Sequence, residues 1–91
     1  VACRAQLAEA AGEQANADVL YVDAAERWRE LGNVPERAYA LLGQGRSLAA
    51  LGKPEAEAPL REARELFASM GYKPALAETE ALLAHGEAAA V

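Results

Sequence analysis

Residues 39 to 52 read YALLGQGRSLAALG, and Gly43 and Gly45 follow an apolar run as the glycines of a phosphate-binding loop would. A dinucleotide loop requires a third glycine at position 48 and a strand before it. Position 48 is Leu48, and the preceding PERAYALL has neither β-branched residues nor an alternating pattern. A P-loop requires Gly-Lys-Ser/Thr, whereas Gly45 is followed by Arg46 and Ser47. The glycines therefore read as the packed middle of a helix, and no nucleotide or other cofactor is expected.

The remaining candidates for chemistry are sparse. Glu55 with Glu57, Glu62 with Glu65 and Glu78 with Glu80 resemble acid–base pairs, but arginines interleave with them at helical spacing in REARE, the pattern of a solvated helix face. His85 is the single histidine and precedes Gly86, which suits the last turn of a helix; it has no second histidine to help bind a metal. Cys3 is the single cysteine, so neither an internal disulfide nor a thiolate cluster can form, and a small half-buried side chain is expected there. No nucleophile, base and orienting group can be assembled. The chain is expected to have no catalytic residues and no metal site.

Composition points to the elements that must carry these residues. Alanine supplies 24 and leucine 12 of the 91 residues, isoleucine is absent and valine is scarce, so helix is strongly favoured. A net charge of −5 and a pI near 4.8 argue against a phosphate backbone as partner. No apolar run approaches a membrane span, and no signal-like segment opens the chain. Arginine exceeds lysine seven to two, a bias of GC-rich bacterial genomes, and a cytoplasmic protein is expected. Beginning at Val1 without an initiator methionine, the 91 residues read as a single helical domain forming the C-terminal part of a longer protein.

Gly12, Gly32, Gly52 and Gly71 punctuate the chain at nearly equal intervals, with alanine-, leucine- and glutamate-rich segments of about four helical turns between them. LGNVPE at 31 to 36 and MGYKPA at 70 to 75 share apolar-Gly-x-x-Pro, 39 residues apart. In the same register Ala17 aligns with Ala56, Tyr21 with Leu60, Ala24 with Ala63, Glu26 with Glu65 and Trp28 with Phe67. This internal repeat predicts an all-α chain of five antiparallel helices at about 2 to 11, 15 to 31, 35 to 51, 54 to 70 and 74 to 85. Pro59 must then fray or kink the fourth. Trp28, equivalent to Phe67, is expected to pack in the core. On a helical wheel Gly45 lies near the centre of an apolar stripe and Gly43 on the opposite, small-residue face. Gly45→Leu is therefore expected to harm the fold more than Gly43→Leu.

Tyr39-x-x-Leu42-Gly43 on a first helix, with Ala17, Tyr21 and Ala24 and again Ala56, Leu60 and Ala63 on second helices, resembles the tetratricopeptide repeat. Its longer, alanine-rich form is similar to repeats at the C-terminal ends of bacterial signalling ATPases, nucleotide cyclases and LuxR-type regulators. The resemblance implies an α-solenoid whose first helices line a concave groove for a protein partner. Arg46 occupies the position where the family packs an aromatic residue. Tyr39, Gly43, Arg46 and Ser47 become the candidate groove residues. The expected function is a non-catalytic interaction or regulatory module that binds a protein, a peptide or another domain of its parent chain. The alternative is a small-molecule sensor, which an enclosed cavity beside Tyr39 and Arg46 would favour. The first helix is apolar around most of its circumference, through Ala2, Cys3, Ala5, Leu7, Ala8, Ala10 and Ala11, and self-association through it is expected. Leu76, Leu82 and Leu83 form a thin apolar line on the last helix, which suits a closing cap.

Overall fold

The alternation of helix-forming segments and glycine turns is followed closely in the computed structural model, which describes the backbone of residues 2–90 and the side chains of residues 4–85. In chain order the elements are α1 (Ala2–Ala10), α2 (Gln14–Leu31), α3 (Val34–Ala50), a 3₁₀ turn (Pro54–Ala56), α4 (Glu57–Met70) and α5 (Lys73–Ala90). The chain is all-α, and each helix packs on the next as an antiparallel pair. α3 sits in the middle, touching α1 and α5 as well as its sequence neighbours α2 and α4. No helix among the described residues is long and apolar enough to cross a membrane.

The two equivalent turns share one backbone geometry. Gly32 ends α2 at φ 72°, ψ 19°, and Gly71 ends α4 at φ 72°, ψ 25°. This left-handed conformation strains any residue with a Cβ, and it lets the following amide return to the helix. Asn33 N–H donates to the Trp28 carbonyl at 3.0 Å, and Tyr72 N–H to the Phe67 carbonyl at 3.0 Å. Asn33 also caps α3, its side chain accepting from the Glu36 amide at 3.2 Å.

The structure decides between the two expectations for the fourth helix and extends the fifth. The fourth helix frays rather than kinks: residues 54–56 form the 3₁₀ turn, so Pro59 lies in the first turn of α4, where an amide has no intrahelical acceptor to lose. The fifth helix does not stop before Gly86 but continues to Ala90, because one glycine costs only about 1 kcal/mol against the helix-forming alanines that follow. Of the two roles expected for His85, helix capping or plain exposure, the second holds: it is an exposed residue inside a helix. The side chains of Ala2 and Cys3 lie outside the described residues.

The main core joins α2, α3, α4 and α5 around Leu41, Leu42, Leu48, Leu60 and the fully buried Phe67, with Trp28 packed against it as its repeat partner required. Along α5, Leu83 is buried in this core while Leu76 and Leu82 pack against it, half-buried. A second, smaller cluster joins α1 to α2 through Ala5, Ala8, Ala17 and Tyr21. The repeated pairs Ala17 and Ala56, Tyr21 and Leu60, and Ala24 and Ala63 are all buried. Alanine at these positions lets helix axes approach closely.

Both glycines of α3 mark such close approaches. A Cβ on Gly43 would sit 2.6 Å from Tyr21 Cδ1 and nearer still to Cε1 and Cζ, while one on Gly45 would collide with Cγ and Cδ2 of Leu60. Tyr21 and Leu60 are equivalent in the repeat, so α3 is gripped by the same knob from α2 on one side and α4 on the other. Gly43 does not lie on a free face. The reading of both glycines as the packed middle of a helix holds, but the expected ranking of Gly45→Leu above Gly43→Leu is corrected, since both positions are equally tight.

Candidate interaction site

Arg46 lies in α3 on the side turned toward both α1 and α5. Its Nε and Nη2 form a fork on the Glu9 carboxylate of α1, with Nη2 donating to Oε1 at 2.8 Å. Its Nη1 donates to Oε2 of Glu78, in α5, at 2.8 Å. Tyr21, in α2, donates its hydroxyl to the same Glu9 Oε1 at 2.8 Å. One guanidinium therefore holds the first, third and fifth helices together, and a planar fork matched to a carboxylate is the reason arginine serves here.

This network fixes the charges of its members. The hydrogen bond from Arg46, more than burial, decides the state of Glu9, and its carboxyl is held below the usual 4.5. The bond to Glu9 likewise raises the Arg46 pKa beyond its ordinary range. Burial, with the bond to ionised Glu9, pushes the Tyr21 hydroxyl up from 10 to about 12. None of the three is a proton donor or acceptor poised near neutral pH.

Beside the network lies a cleft of about 360 Å³. Its buried lining is Ala40 and Leu42 of α3 with Tyr21 of α2. Its walls carry Glu36, Tyr39 and Arg46 from α3, Gln6 from α1 and Glu78 from α5. Gln6, Glu36, Tyr39 and Glu78 are all exposed, so the cleft is partly open to solvent. Tyr39, 47% exposed, is anchored by its edge-on contact with Phe67, ring centroids 5.0 Å apart, and lies near Tyr72 at 6.4 Å.

The four residues singled out from the sequence divide evenly. Tyr39 and Arg46 stand on the cleft walls. Gly43 and Ser47 do not reach the cleft: Gly43 is covered by the Tyr21 ring, and Ser47 is fully buried with no hydrogen-bond partner for its Oγ among the described residues. Glu9, Glu36 and Glu78 were missed. Glu9 and Glu78 lie 37 and 32 residues from Arg46, and no local spacing links them. The usable signal was architectural, since sequential antiparallel packing brings the alternate helices α1, α3 and α5 side by side. Among the described residues no group of three His, Cys, Asp or Glu side chains converges as a metal site would require. No known family, curated protein or solved structure matches this chain.

Proposed function

We propose that this chain is a non-catalytic protein-interaction module of the tetratricopeptide type, working in a bacterial cytoplasm, whose cleft between α1, α3 and α5 receives an extended peptide or a segment of its parent chain. The observation that carries this reading is the cleft itself. It has exposed side chains along its walls, buried Tyr21, Ala40 and Leu42 beneath them, and helices cross-braced by Arg46, an arrangement in which repeat proteins present a binding surface. The burial of Ala17, Tyr21 and Ala24, and of Ala56, Leu60 and Ala63, agrees with the repeat pattern from which the reading began. Charges locked by mutual hydrogen bonds suit a scaffold and not acid–base catalysis. The exposed walls favour the module over a small-molecule sensor, which requires enclosure.

Selection of random linear peptides displayed on phage, with Tyr39→Ala protein as the counter-selecting target, tests the reading. Ligands that shift the amide resonances of Gln6, Glu36, Tyr39 and Arg46 are expected. Binders indifferent to the Tyr39 change would remove the cleft as the site. Calorimetric titration with ATP, GTP, NAD or zinc is expected to give no saturable binding, and a tight nucleotide site would overturn the non-catalytic reading.

A further inference from the structure

The cleft has a sign. Its walls carry two carboxylates, Glu36 and Glu78, and one guanidinium, Arg46, whose fork is already occupied by a third carboxylate, Glu9. Three of the five N–H groups of Arg46 are engaged by Glu9 and Glu78, so its charge is already shared between two carboxylates and only one N–H on each of Nη1 and Nη2 remains. An acidic partner that reached those two groups would lie against the carboxylates of Glu36 and Glu78 in a small, partly desolvated space. Glu36 is in the opposite situation. It is exposed on the wall, and none of the ion pairs among the described residues takes up its carboxylate. Tyr39 stands one helical turn further along α3 on the same wall, with about half its surface open. A carboxylate one turn from an exposed aromatic ring suits a long cationic side chain, whose stem rests on the ring while its head reaches the acid.

Resting on the reading of the cleft as a peptide groove, we propose that its partner is a basic segment that seats a lysine or arginine between Glu36 and the Tyr39 ring, and that Arg46 serves as an internal brace rather than as the group that reads the partner. The charge of −5 on the whole chain adds long-range attraction for such a segment. The specific recognition lies at Glu36, because Glu78 is shared with Arg46.

The test uses the same display selection, read for charge and followed by fluorescence anisotropy with the enriched peptides. Peptides rich in lysine or arginine are expected, with affinity that falls as salt is raised. Glu36→Gln should weaken them about two- to fivefold, as loss of one exposed charge pair does, and Glu36→Lys more strongly. The pair Glu55→Gln with Glu65→Gln, which removes twice the charge from outside the cleft walls, should change affinity less than Glu36→Gln alone. Circular dichroism of each variant verifies that the helices are intact. Enriched peptides that are acidic or neutral, yet still depend on Tyr39, would overturn the basic-partner proposal and leave the interaction reading standing. Basic peptides that respond equally to both sets of variants would reduce the effect to net charge and overturn it also. A selection with no Tyr39-dependent peptide would remove both.

Discussion

Arg46 Nη2 lies 2.8 Å from Glu9 Oε1 across 37 residues of sequence, and this bond joins the first helix to the third. Nη1 of the same guanidinium reaches Glu78 at 2.8 Å and joins the third helix to the fifth. Helices adjacent in sequence are held by packing; these alternate ones are bridged by charge as well. Arg46→Met is expected to cost about 1 to 2 kcal/mol in urea unfolding, between the values of a charged hydrogen bond and an exposed ion pair. Because Glu9 is left without its main partner in that variant, Glu9→Gln combined with Arg46→Met should cost clearly less than the sum of the two single changes. Strict additivity would mean that the fork contributes nothing to the fold.

The same network sets the dependence of stability on pH. The Glu9 carboxyl titrates lower in the folded chain than the ordinary 4.5, so the unfolded chain binds its proton first on acidification. Its contribution is complete above about 4.5 and is lost as pH falls through the folded value. Glu9→Gln should flatten the acid side of the stability profile relative to the unaltered chain. At the alkaline end Tyr21 holds its proton up to about 12 in the fold against 10 when unfolded. Its contribution is complete below 10 and declines as pH rises toward 12, and Tyr21→Phe should lack that decline. Profiles that run parallel for both variants and the original chain would show the network to be open to water.

Gly43→Leu and Gly45→Leu are both expected to destabilise, each by about 1 to 3 kcal/mol from overpacking, against about 1 kcal/mol returned as helix propensity. Even Gly43→Ala should be unfavourable, because the Tyr21 ring it would meet is buried and tethered through its hydroxyl to Glu9. Leu60, opposite Gly45, is likewise buried and held on all sides by the main core. A rise in the urea midpoint for either alanine variant would mean that the helices can separate at little cost.

Leu7 is 67% exposed on α1, although Ala5 and Ala8 of the same helix are buried against α2. An exposed leucine on α1 offers a contact to a second copy of the chain, the self-association expected for this face. Sedimentation equilibrium at micromolar concentrations should give a mass that rises with concentration, and Leu7→Glu should suppress the rise. A concentration-independent monomer mass in both proteins would eliminate the contact.

Much of the architecture is legible in the residues. The glycine spacing located the turns, and the left-handed backbone at Gly32 and Gly71 is the physical reason that spacing carries information, since few other residues can occupy it without strain. The alignment of Tyr21 with Leu60 and of Trp28 with Phe67 identified core positions because equivalent helices bury equivalent faces. The end of α5 was not legible, because Gly86 in a helix and Gly86 after one look alike in sequence when alanines follow.

The site divides along the same line. Helix type, helix order and the exclusion of a phosphate loop at Gly43 and Gly45 depend on interactions within a few residues, and these the sequence alone determined. What the two glycines face, and what Arg46 does, depend on contacts between residues distant in the chain. A helical wheel assigns Gly43 and Ser47 to a face but cannot say whether a neighbouring helix covers it. Only the packing of α2 against α3 placed the Tyr21 ring there, and only the alignment of α1, α3 and α5 on one side brought Glu9 and Glu78 to a single guanidinium. Side-chain periodicity is a local property, whereas burial and ion pairing are set by which helices meet, and that was decided by the tertiary structure.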